Sequence, residues 1–167
     1  MRRISIVLAG LAVVSIAAQS RLSGQTASAS LTVTANVVKN CTISTAPVAF
    51  GNYDSVAANA TKPLDGIGTI TVTCTKGAAA KVGLNPGGNA QGTTRRMAGA
   101  AAEYLTYELY KDTGRATIWG DTSTTGLDVP AAPNQTPRNF TVYGRVAQAQ
   151  QAAVGAYTDT VVATVNF

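Results

Sequence analysis

From residue 31 to residue 167, apolar side chains recur at every second position in short runs, and nowhere is a repeat of 3.6 sustained. A period of two puts successive side chains on opposite faces of an extended strand, so the chain is confined to sheet structure. The clearest run is Tyr104-Leu105-Thr106-Tyr107-Glu108-Leu109-Tyr110: Leu105, Tyr107 and Leu109 suit a core, and Tyr104, Thr106, Glu108 and Tyr110 suit a wetter face. Comparable runs rich in Thr, Val, Ala and Tyr place strands at 31–37, 41–43 running toward Phe50, 68–74, 80–84, 104–110, 116–119, 139–146 and 157–167. Such a series of short strands, with turn residues roughly every eight to twelve positions, predicts an all-β antiparallel sandwich. At 167 residues the chain has room for one domain with a sizeable core.

Turn chemistry supports this pattern. Asn85-Pro86-Gly87-Gly88 supplies a fixed φ and then two residues that tolerate positive φ, which ends the strand at 80–84. Lys111-Asp112-Thr113-Gly114-Arg115 has hairpin length and contains Gly. Pro130, Pro133 and Pro137 make 129–137 a loop, because proline cannot donate to a central ladder. The basic doublet Arg95-Arg96 is expected in a solvated loop.

The first eighteen residues join Arg2 and Arg3 to an apolar run, the layout of a secretory signal peptide. The sequence predicts a signal over 1–29, with cleavage after Ala29 or as early as Ala17, an N-terminal extension over 30–39 and a domain over 40–167. Of thirteen Lys and Arg, three (Arg2, Arg3 and Arg21) leave with the signal, so ten face eight Asp and Glu. A balance so near neutral, without a clustered basic face, does not support nucleic-acid binding. Two cysteines in an exported chain, Cys41 and Cys74, favour a bridge. Closing a loop of roughly 34 residues contributes about 3 to 4 kcal/mol in the chain-entropy model.

Chemistry is sparse. There is no His, the commonest general base, and the carboxylates are scattered through turns and strand ends. No metal, cofactor or catalytic residue is therefore expected. Gly87-Gly88-Asn89-Ala90-Gln91-Gly92 lacks the Gly-Lys-Ser/Thr of a phosphate loop. A secreted carbohydrate-binding module, with Tyr104, Tyr110 and Trp119 as its platform, is one alternative reading.

The two ends alternate most cleanly. Leu31, Val33, Ala35 and Val37 oppose Thr32, Thr34 and Asn36, and near the other end Tyr157, Val161, Ala163, Val165 and Phe167 oppose Thr158, Thr160, Thr164 and Asn166. The spacer Val38-Lys39-Asn40 is short, which favours a first strand that pairs in trans.

In order along the chain stand Asn40-Cys41-Thr42-Ile43, Phe50-Gly51-Asn52-Tyr53-Asp54, Gly68-Thr69-Ile70-Thr71-Val72-Thr73-Cys74, Arg96-Met97, Tyr104 to Tyr110, Ile118-Trp119-Gly120-Asp121, Val142-Tyr143-Gly144-Arg145-Val146 and Gly155-Ala156-Tyr157-Thr158-Asp159-Thr160-Val161. Together they resemble the spore coat protein U domain family, which includes major subunits of archaic chaperone-usher pili of the Csu type. The resemblance implies an incomplete immunoglobulin-like antiparallel β-sandwich, missing one strand that a neighbouring subunit donates. It implies a Cys41–Cys74 disulfide, a donor strand carrying Leu31, Val33, Ala35 and Val37, and a C-terminal strand, with Val161, Ala163, Val165 and Phe167, on which a periplasmic chaperone docks. The partners implied are identical or related pilus subunits, that chaperone and an outer-membrane usher. The place implied is the bacterial surface, with roles in adhesion and biofilm formation, and a spore or cell coat protein of the same fold is the alternative.

Overall fold

The computed structural model describes residues 24–167. The expected signal run before residue 24, and a cleavage after Ala17, lie outside the described residues. Residues up to Ala35 form one unit and Asn36–Phe167 the other. No residue from 24 to 40 belongs to a strand, so the run at 31–37 finds no ladder partner among the described residues.

The larger unit is built from β1 (Cys41–Ala46), β2 (Leu64–Cys74), β3 (Ala80–Leu84), β4 (Arg95–Ala98), β5 (Tyr104–Tyr110), β6 (Leu127–Val129), β7 (Arg138–Val146) and β8 (Ala163–Asn166). Five of them form one antiparallel sheet in the order β1-β2-β7-β5-β4, and three form a second in the order β6-β3-β8. The expected antiparallel all-β architecture is present. Ile70, Val72, Leu105, Leu109, Val142 and Val146 face inward from the larger sheet, and Val82 and Val129 from the smaller. Trp119 is fully buried and donates its indole N–H to Val82 O at 2.9 Å.

Several local expectations are corrected. Residues 116–119 form no strand: pairing there reduces to one bridge, Tyr110 with Ile118. The turn before them is held instead by Asp112, whose carboxylate accepts from the N–H groups of Ala116 and Thr117 at 3.1 and 2.7 Å. Arg95 and Arg96 lie in β4 rather than in a solvated loop, and Arg95 is 3% exposed. β6 was not expected, and of the run at 157–167 only Ala163–Asn166 enters a ladder. The loop after Val129, the Gly87 turn (φ 97°) and β3 and β5 stand where the sequence predicts them.

Candidate functional site

Beta sandwiches close when both sheets are fully covered by one another, and this one is not. β1 pairs only with β2 and β8 only with β3 among the described residues, so each turns an unpaired edge outward. Between these edges lies a cleft of about 470 Å³. One wall is the end of β1 with Pro47, Val48 and Phe50, the other is Tyr157 to Val161 with Ala163, and the floor is Ile70, Tyr107, Leu109 and Val142. The floor residues belong to the core, so the cleft opens onto the hydrophobic interior.

The first wall exists because glycines let it approach. Gly66, Gly68 and Gly144 stand at inward positions of β2 and β7. A Cβ at Gly68 would sit 2.7 Å from the Val48 side chain, and one at Gly144 would sit 2.7 Å from both Val48 and Phe50. Without side chains there, the segment after β1 lies on the sheet and Phe50 meets the Tyr107 ring edge-on at a centroid distance of 6.1 Å.

The second wall changes sheets along its length. Thr158 exchanges backbone hydrogen bonds with Ala98 of β4 at 2.8 and 3.0 Å. Further on, Thr160 O and Val162 O accept from Gly88 N and Asn85 N at 3.0 and 3.1 Å, and β8 then pairs with β3. Alternate residues of a strand aim their backbone groups to opposite sides. Here the even-numbered residues are engaged, and no hydrogen bond among the described residues reaches the backbone of Asp159 or Val161. Those donors and acceptors face the cleft.

Asp159 fixes this wall. Its carboxylate accepts from Tyr107 Oη at 2.7 Å and from the backbone and side-chain N–H groups of Asn89 at 3.0 Å each. Burial and then the Asp159 hydrogen bond push the Tyr107 phenol well above its ordinary value of 10.0, so it stays a neutral donor.

A disulfide joins Cys41 to Cys74 across the first pair of the β1–β2 ladder. Leu31, Val33 and Val37 are 88%, 85% and 82% exposed, and Ala35 is exposed as well. Of the four C-terminal residues singled out by resemblance, Val161 and Ala163 line the cleft, Val165 faces inward opposite Val82, and Phe167 is 52% exposed. The carbohydrate platform does not form: Trp119 is buried, and Tyr104 and Tyr110 stand at opposite ends of β5, roughly 20 Å apart at about 3.4 Å per residue. Among the described residues no three Cys, Asp or Glu side chains are grouped so as to hold a metal ion. The sequence reading did not single out Val48, Tyr107 or Asp159 as site residues; the Gly66-x-Gly68 spacing inside a strand was the available signal.

A family model described as the Spore Coat Protein U domain matches residues 27–164. The chain is also 40% identical to "Protein U" of Myxococcus xanthus over 174 aligned positions, covering 96% of each. The chain belongs to the Spore Coat Protein U domain family. Its fold resembles a chain in the crystal structure of the CsuC–CsuE chaperone–tip adhesion subunit pre-assembly complex from archaic chaperone-usher Csu pili of Acinetobacter baumannii, with a TM-score of 0.55 and 23% identity. That match covers 78% of this chain and spans only 40% of the other, and the likeness extends to the fold alone. For this family member it bears out the immunoglobulin-like sandwich.

Proposed function

We propose that the chain is a structural subunit of a surface pilus that polymerises by donor-strand complementation. The observation that carries this reading is the cleft: an apolar floor flanked by two unpaired strand edges takes a strand with alternating apolar side chains. Leu31, Val33, Ala35 and Val37 of a neighbouring copy have that pattern and are exposed here. Burying one Leu, two Val and one Ala contributes about 5 to 8 kcal/mol before ordering costs. A donor segment of seven residues spans roughly 20 to 25 Å of ladder. The joint is head-to-tail, so it propagates as a filament.

In this reading residues 1–29 are the export signal, 30–39 the donor extension and 40–167 the acceptor domain. A periplasmic chaperone occupies the groove before assembly, docking on Val161, Ala163, Val165 and Phe167. An outer-membrane usher then passes subunits to the cell surface, where the filament supports adhesion and biofilm formation. No catalytic role is assigned. Val33→Lys places an ammonium in the groove and is expected to abolish SDS-resistant polymers while leaving a monomer that still binds the chaperone. Normal polymers from Val33→Lys chains overturn the donor assignment.

The 40% identity to "Protein U", in a family described by spore coats, favours a second reading as a coat component built by the same joint. Electron microscopy of cells with and without the gene separates them: thin fibres lost with the gene support the pilus, and a lost surface layer supports the coat.

A further inference from the structure

Resting on the donor-strand reading above, we propose that the Cys41–Cys74 bridge has a mechanical function: it carries filament tension past β1 and so guards both joints that meet at that strand. In a filament, tension leaves the domain through the exposed residues Val38, Lys39 and Asn40 and enters β1 at its first residue, Cys41. β1 is an edge strand whose ladder runs antiparallel from Cys41↔Cys74 to Ala46↔Thr69. A pull on one end of such a ladder opens its pairs in succession, so without a bridge the strand resists with one or two hydrogen bonds at a time. Among the described residues, the only pairing ahead of the bridge is Asn40 O, which accepts from Thr75 N at 2.8 Å and Thr75 Oγ1 at 3.3 Å.

The bridge sits at the first rung of that ladder. It diverts the pull into Cys74 at the end of β2, a strand that pairs with β1 over Thr69–Cys74 and, further in, with β7 from Leu64↔Val146 to Val72↔Arg138. Ile70 and Val72 root β2 in the core at 2% and 0% exposure. The far end of β1, Thr45 and Ala46, continues into Pro47 and Val48 on the groove wall. A peeled β1 would therefore lose its own anchorage and also free the strand donated by its neighbour. One covalent bond protects the outgoing joint and the incoming one together, and it locks residues 42–73 in a loop that tension cannot draw out.

The test stretches purified intact filaments in a force spectrometer, oxidised or after reduction, with alkylation confirming that both thiols are free. Because Cys41 and Cys74 are buried, filaments assembled from chains with Cys41→Ser and Cys74→Ser provide a second route. Oxidised filaments are expected to part without drawing out the loop. Each reduced subunit is expected to yield about 20 Å of additional extension as β1 peels, from its six residues at about 3.4 Å each, before its joint fails. The rupture force at equal pulling speed should fall at least twofold. Equal force and equal extension in the two states overturn the proposal. So does dissociation of reduced filaments without load, since the bridge would then be holding the fold rather than diverting tension. Failure of the donor-strand reading registers separately, as normal polymerisation of Val33→Lys chains.

Discussion

Arg95 should be among the residues whose loss costs this domain most, although it contributes nothing to a hydrophobic core. Its guanidinium donates Nη2–H to Leu84 O at 2.8 Å, Trp119 O at 2.9 Å and Asn85 O at 3.0 Å, its Nε–H reaches Asn85 O at 3.3 Å, and Nη1 pairs with Glu108. One side chain from β4 thus binds the end of β3, the turn after it and the Trp119 segment. Arg95→Met keeps the apolar stem but leaves three carbonyls and the Glu108 carboxylate without their donor. Breaking one side of a buried charged pair costs about 3 to 5 kcal/mol. At a urea slope of about 2 kcal/mol/M, the unfolding midpoint should fall by about 1.5 to 2.5 M. Arg95→Lys restores the charge without the planar fork and should recover less than half of the loss. Equilibrium urea unfolding followed by Trp119 fluorescence makes the comparison. A drop below about 0.5 M for Arg95→Met, or an Arg95→Lys midpoint equal to the parent's, refutes the argument. The same side chain also braces a groove wall, because Asn85, whose carbonyl it holds, donates to Val162 O and accepts from Val162 N in the segment that forms that wall.

Two further outcomes are expected. Gly144→Val should displace Val48 and Phe50 from the sheet at a cost of about 1 to 3 kcal/mol, and should lower polymer yield in an SDS gel by more than a stability-matched substitution on the outer face does. The Arg145 hydrogen bonds, followed by the charge of Arg115, hold Asp65 below its ordinary value of 3.8. Since the folded value is the lower one, its stabilisation is complete above about pH 4 and is lost as pH falls through the folded value; Asp65→Asn should flatten the acid limb of a stability–pH curve measured by urea unfolding.

How much of this was legible depends on what set each element. β3 and β5 could be read because their alternation is set by the core they cover. β4 could not, since Arg-Arg-Met-Ala has no apolar alternation and becomes a strand by pairing with β5, from Arg95↔Tyr107 to Ala98↔Tyr104. Residues 116–119 misled in the other direction: they look like a strand, but Arg115 turns left-handed (φ 56°), the Asp112 cap holds the next two amides, and Trp119 is drawn inward to Val82 O. At 157–162 the alternation was right and the ladder was not, because Thr158 meets only the last residue of β4 in a single bridge and Thr160 and Val162 meet a turn. The donor-like run could be read from its pattern. The groove could not, because its walls depend on glycines that admit Val48 and Phe50 and on a Tyr107–Asp159 bond between residues far apart in sequence.

The wall that changes sheets also sets an order in time. It is made of residues 157–166, which follow every other strand in chain order. A chain that crosses a membrane N-terminus first therefore presents its alternating segment at 31–37 long before it possesses the groove that accepts one. In the proposed assembly each molecule is a donor first and an acceptor last. Between those moments it has nothing to receive a neighbour's strand, so in that assembly the sequence order itself would delay polymerisation until the domain has folded.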